Sequence, residues 1–177
     1  MVSSFRIQAS NPRWTCSFNE EDGHIGDAMQ TVFPMWTEDA YMIWNGIHIP
    51  IGYKYTLSLL LQDALMILEE ISQQASGTLT NQWPSDDFSS TWDMTWDVKS
   101  IDIRAQWESV LGGTEALLNT RPIVNVGKDD FVSEWKQVLG VALRALTEAG
   151  YTDDRLIDLA RLRRVYESIR EPGVLYR

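Results

Sequence analysis

Cysteine, histidine and, over half of the chain, basic side chains are scarce in this sequence of 177 residues. A single cysteine, Cys16, excludes an internal disulfide and any multi-cysteine metal site, and it suits a reducing compartment. The expectation for Cys16 is a small residue in the core. Two histidines leave little material for histidine-based acid/base chemistry or a histidine metal cage. The stretch "EEDGHIGD" sets His24 near Asp22 and Asp27, yet the alternating acids of a calcium loop are missing, so neither a metal nor a cofactor is expected. His48 reads as a packed strand residue.

Catalytic motifs are absent as well. The sequence has no Gly-x-Gly-x-x-Gly, no Gly-x-x-x-x-Gly-Lys, no Gly-x-Ser-x-Gly and no His-Glu-x-x-His. The double glycine of "LGGTEALL" has no lysine to meet a phosphate and reads as a turn. Carboxylates are plentiful without the spacing of an acid/base couple, so the chain is expected not to be an enzyme. Long apolar runs are missing too: "LSLLLQDALMIL" is broken by Gln62 and Asp63, and "MVSSFRIQAS" lacks the apolar block of a signal peptide. The expectation is one soluble cytoplasmic domain spanning residues 1–177, large enough to hold a core without staples.

What the sequence has in excess is acid, and it is unevenly placed. The net charge is -10, and between Trp14 and Val98 thirteen acids face the single base Lys54. The carboxy-terminal half balances. A field this one-sided repels nucleic acid and attracts cations, basic proteins among them.

Hydropathy periods then predict an α+β fold: an antiparallel sheet with one central helix and two C-terminal amphipathic helices packed on it. Phe5, Ile7 and Ala9 alternate, and so do Trp14, Cys16 and Phe18, as two half-buried strands would. A short helix is expected from Ile25 to Val32, stopped by Pro34. "AYMIWNGIHIPI" carries Asn45 and Gly46 between apolar runs, predicting a two-residue hairpin that pairs Trp44 with Ile47 and Met42 with Ile49, with Pro50 on an edge. Leu57, Leu60, Leu61, Ala64, Leu65, Leu68 and Ile71 keep helical spacing, with Thr56 or Ser58 as cap and Gly77 as terminator. Leu59 and Met66 fall in that helix's polar arc and need a cover.

Residues 78–90 read as an acidic loop carrying Trp83, Asp86 and Asp87. "TWDMTWDVK" follows as a strand with Trp92, Met94, Trp96 and Val98 inward and Asp93 and Asp97 outward. It is joined to Ile101, Ile103, Ala105 and Trp107 either by a turn at Lys99 and Ser100, pairing Trp96 with Ile103, or by a bulge in one long strand. One helical turn at Glu115 to Leu118 and a strand at Ile123 to Val126 lead to helices from Asp130 to Ala149, capped by Asp129 or Asp130, and from Asp153 to Arg170. Arg163, Glu167 and Arg170 are spaced to pair on the last helix.

Aspartates on a strand cost something locally, so Asp93 and Asp97 call for a compensating role, either to resist edge pairing or to meet a cationic partner. With Glu20, Glu21 and Asp22 in the first loop and Trp83, Asp86 and Asp87 in the second, they make the expected partner-binding set, Trp83 serving as aromatic anchor. Small, acidic and tryptophan-rich, with segments such as "IHIPIGYKYTLSLLLQDALMILEEI" and "FVSEWKQVLGVAL", the chain resembles the immunity proteins encoded beside bacterial polymorphic toxins, including those of contact-dependent inhibition and type VI effectors. The resemblance implies a catalytically inert protein that binds one toxin domain with a basic surface and blocks its active site or substrate path. It assigns no residue. Two other readings remain: a chaperone or adaptor for a secreted effector, binding through Leu59 and Met66, and a small-ligand-binding domain or unfamiliar enzyme with a pocket of Trp and Tyr.

Overall fold

The computed structural model describes residues 4–171. It is an α+β fold with antiparallel strands, and the strands divide into two sheets rather than one. The first sheet has the order β1 (Phe5–Gln8), β2 (Ala40–Trp44), β3 (Ile47–Ile51); the second has β4 (Gly77–Ser85), β5 (Phe88–Trp96), β6 (Ser100–Val110), β7 (Ile123–Gly127). Five helices accompany them among the described residues: α1 (Ile25–Val32), α2 (Ser58–Gln73), α3 (Glu115–Thr120), α4 (Lys128–Glu148) and α5 (Ile157–Ser168).

The β2–β3 hairpin forms in the expected register, Trp44 opposite Ile47 and Met42 opposite Ile49. Asn45 and Gly46 take φ of 49° and 82°, the left-handed pair that a tight turn of matching twist demands. α1 has the expected bounds and ends as its chain turns extended at Phe33, ahead of Pro34. His48 lies on the exposed side of β3, edge-on to Tyr41, rather than packed inside.

Several expectations give way to tertiary context. Trp14, Cys16 and Phe18 form no strand, because their alternation serves helices instead of a sheet. Trp14 packs edge-on over Phe33 and donates its indole N–H to Glu148, Phe18 packs at a tilt against Tyr151, and Cys16 is exposed, not in the core. Residues 78–90 are the β4–β5 hairpin with Asp86 and Asp87 as its two-residue turn, so Trp83 lies in a strand, fully buried. The apolar period was masked there by Asn81 and Ser85, which share the inward face with Trp83. Trp96 pairs with Ile101, not Ile103, around a turn of Asp97, Val98 and Lys99. Val98 is consequently 69% exposed.

α2 begins after one π turn, Tyr53–Leu57, and neither Thr56 nor Ser58 caps it; Ser58 Oγ donates back to the Lys54 carbonyl. Gly77 opens β4 rather than ending α2. A Cβ there would sit 2.4 Å from Trp96 Cζ2, so only glycine admits the indole that donates to the Gln74 carbonyl. No aspartate side chain caps α4, whose N-cap is Gly127, and α5 starts at Ile157 after a turn holding Asp153 and Asp154. Arg163 pairs with Asp153, while Arg161 reaches across to Glu69 on α2.

The sheets and helices enclose one apolar cluster whose centre is aromatic. Trp44 of the first sheet meets Trp92 and Trp107 of the second with centroids 5.2 Å apart in both pairs, and Trp135 of α4 stacks on Trp83 at 6.2 Å. These contacts join the two sheets and α4 into one core, and aromatic pairs of this kind add about 0.5–1.5 kcal/mol each beyond area burial. Trp44 donates its N–H to the Arg121 carbonyl; the indole N–H groups of Trp83, Trp92, Trp107 and Trp135 find no acceptor among the described residues and lie among ring faces and edges.

Candidate functional site: the acidic surface

The expected contact residues occupy separate places. Asp86 and Asp87 sit at one end of β5 and Asp97 at the other, about 30 Å apart at the rise of a nine-residue strand. Asp93 lies between them on the exposed face, opposite Arg104, and accepts a hydrogen bond from Thr80 at 2.6 Å. Glu20 and Glu21 are exposed in the loop that Asn19 ties to Tyr151.

Three of the eight have structural roles. Trp83 is buried and cannot anchor a partner. Asp22 accepts from Thr31 at 2.8 Å and from the Tyr151 hydroxyl, pinning the loop to α1 and to the end of α4. Burial raises the Tyr151 pKa, and the Asp22 hydrogen bond reinforces that. Asp97 closes the β5–β6 turn by accepting from the Lys99 and Ser100 backbone N–H groups at 2.7 and 2.9 Å, and the Lys99 bond leads in holding its carboxyl below the usual range. Its cost as a strand aspartate is thus settled within the turn.

The structure exposes an aromatic that sequence reasoning passed over. Trp36 is 90% exposed and Met35 is 65% exposed, on the segment between α1 and β2. The segment is held, not loose: Thr37 Oγ1 accepts from the Arg13 N–H at 2.6 Å, and Glu38 accepts from the Asn11 N–H at 3.0 Å. An indole offered to water on a tied backbone has little conformational freedom to lose on binding. The sequence signal is slight: Trp36 stands in "FPMWTED" outside any period.

The lone base of the acidic half is engaged inside the fold. Lys54 Nζ donates to the Gln30 and Phe33 carbonyls at the end of α1. It therefore caps a helix instead of screening the carboxylates around it. Lys128 likewise donates to the Gln74 carbonyl past α2, at 2.7 Å, and Lys136 to the Tyr166 and Ile169 carbonyls at the end of α5. Three of the four lysines in the chain thus terminate helices that carry no base in their own last turn.

Elsewhere a hollow of about 430 Å³ is lined by His24, Gln62, Leu59 and Asp158. His24 meets Asp158 at 3.4 Å rather than Asp22 or Asp27, and no group of three metal-ligating side chains occurs among the described residues. Leu59 is 44% exposed there, whereas Met66 is partly covered by the core. No helix among the described residues is long and apolar enough to cross a membrane. Compared with family models, with curated proteins and with solved structures, the chain has no match.

Proposed function

We propose that this chain is an immunity protein: a binding protein that occludes the active site or substrate path of a cognate toxin domain with a basic surface, such as a nuclease or another enzyme acting on a phosphate-bearing substrate. One observation carries the reading. Eight of the thirteen acids between Trp14 and Val98 are exposed, and the only base among them is turned inward onto backbone carbonyls. Such a surface speeds encounter with a cationic cleft and disfavours anionic partners. Trp36 replaces Trp83 as the aromatic anchor, with the acids of the Asp86–Asp87 turn and of Glu20 and Glu21 as orienting charges.

The test is capture of partners from a lysate of the source strain on the tagged chain at low and high salt, identified by mass spectrometry. Retention of one protein through a basic domain, weakened by salt, is the expected result. Trp36→Ala should lower that affinity at least tenfold with the fold intact, and Asp86→Lys with Asp87→Lys should weaken it and flatten its salt dependence. Recovery of several partners regardless of salt would favour an adaptor that binds through exposed Leu59, and recovery of none would remove the proposal.

A further inference from the structure

Two sheets present four edges, and three of them are closed in different ways. On β1 the Ile7 N–H donates to Glu134 Oε2 of α4 at 2.7 Å. On β7 the Asn125 carbonyl accepts from Ser4 Oγ at 2.6 Å and the Ile123 carbonyl from Asn45 Nδ2 at 2.8 Å. On β3, the residues flanking a two-residue turn bond inward, so Ile47, Ile49 and Ile51 face β2 while His48 and Pro50 face out, and proline has no N–H to offer.

β4 shares one device with β3, the outward Pro84 beside its turn, and is open along the rest of its length. By the same parity Ser85, Trp83, Asn81, Leu79 and Gly77 bond to β5, leaving the backbone of Thr78, Thr80, Gln82 and Pro84 outward. These outward groups have no hydrogen-bond partner among the described residues. The strand is nine residues long, "GTLTNQWPS", and carries no charge in a chain whose charged content is 23%. Edges left this long and uncharged are templates for strand addition.

Carboxylates flank this neutral edge on both faces of the sheet. Thr80 donates to Asp93 on the outer face, and Asn81 Nδ2 donates to Asp63 of α2 beneath, at 3.5 Å. We infer that β4 is a docking edge for an extended, lysine- or arginine-bearing segment of a partner protein, which joins the second sheet as a fifth strand with successive side chains, which point to opposite faces of the sheet, reaching Asp93 and Asp63. The backbone supplies binding strength and the two carboxylates supply selection. Burial already holds the Asp63 carboxyl above the usual range, a cost that an arriving cation would relieve. A second copy of this chain fits worse: it would bring another net charge of -10 and would set Asp63 near its symmetric mate.

The inference deepens the proposed function and rests on it for the source of the segment, but its test needs no toxin. The full chain, labelled with nitrogen-15, is titrated with a nine-residue valine and threonine peptide carrying two adjacent central lysines, one for each face of the sheet, with the same peptide N-methylated at alternate backbone nitrogens, and with a glutamate-for-lysine analogue. The lysine peptide should shift the amides of Thr78, Thr80 and Gln82 and slow their hydrogen exchange. N-methylation should weaken binding at least tenfold, the glutamate analogue should not bind, and Thr78→Lys with Gln82→Lys should weaken the lysine peptide by a similar factor. Equal binding of the N-methylated peptide, or shifts confined to the Asp86–Asp87 turn and Glu20, would overturn the edge. Protection of the same amides by raising protein concentration alone would assign the edge to a second copy and overturn it as well. A failed titration alongside salt-sensitive capture of a basic partner sinks the edge and spares the proposed function; a successful titration with no captured partner does the reverse.

Discussion

Replacing Lys54 with methionine tests whether a lysine from another element terminates α1. The methionine keeps most of the aliphatic stem and removes the ammonium, so the Gln30 and Phe33 carbonyls lose their donor. A net hydrogen bond to a charged group is worth about 1.5–3 kcal/mol, and the helix dipole adds about 0.3–1. The two bonds share one ammonium and are not additive, and Lys54 is only partly buried, so water recovers part of the loss. The expected cost is about 2 kcal/mol, which for a chain of this size lowers Tm by about 4–8 °C. Urea unfolding followed by circular dichroism measures it, and hydrogen exchange should show the last turn of α1 opening first. Lys99→Met is the control, because Lys99 is exposed in the β5–β6 turn and its ammonium, near only the exposed Asp97 carboxylate, makes no hydrogen bond among the described residues. It removes the same charge and should change stability by less than about 0.5 kcal/mol. Equal losses in the two variants would refute the capping argument and assign the effect to net charge.

Three further outcomes follow from contacts within the fold. Glu134 should be needed as an acceptor and not as a charge: Glu134→Gln keeps an oxygen for the Ile7 N–H and should stay within about 0.5 kcal/mol, while Glu134→Ala orphans that N–H and should cost about 1–3 kcal/mol by chemical denaturation. Burial is the main cause that raises the Glu134 pKa, so the folded state holds this proton more tightly than the unfolded chain. Its contribution therefore declines as pH rises through the folded pKa, and that slope should vanish in Glu134→Gln. Glu69 has the opposite sign: the bidentate Arg161, with an N–H to Oε2 at 2.6 Å, lowers its pKa, so its stabilisation is present above the unfolded pKa and is lost as pH falls through the lowered one. Glu69→Gln should cost about 1–2 kcal/mol near neutral pH and nothing at acid extremes, read from denaturant midpoints across pH. Gly77→Ala should destabilise by about 2 kcal/mol or more, since its Cβ would meet three atoms of the Trp96 indole within 2.9 Å, and a shifted near-ultraviolet signal should report the displaced ring.

The sequence alone determined the elements whose signal is local. Asn45 and Gly46 specify a turn that few other residue pairs accept, so the β2–β3 register followed from two residues. α1, the helical turn near Glu115, the strand from Ile123 and the body of α4 followed from unbroken apolar periods and from glycine or proline at their ends. The acid excess was equally legible, being a matter of composition.

Tertiary structure decided everything that depends on which partner a side chain meets. Alternation at Trp14, Cys16 and Phe18 resembled a strand, but no neighbouring strand takes up its hydrogen bonds, and the aromatics settle on Phe33 and Tyr151. β4 lacked an apolar period because Asn81 and Ser85 take inward places, and only the pairing with β5 reveals the strand and buries Trp83. The ends of α2 and α5 are not legible locally for a related reason: lysines distant in sequence meet their last carbonyls, where local capping rules look for a residue nearby. Exposure of Trp36 and openness of the β4 edge are likewise properties of what does not pack against them, and a linear pattern holds no record of that. Periodicity reports the face a residue turns; folding decides whether anything lies on that face.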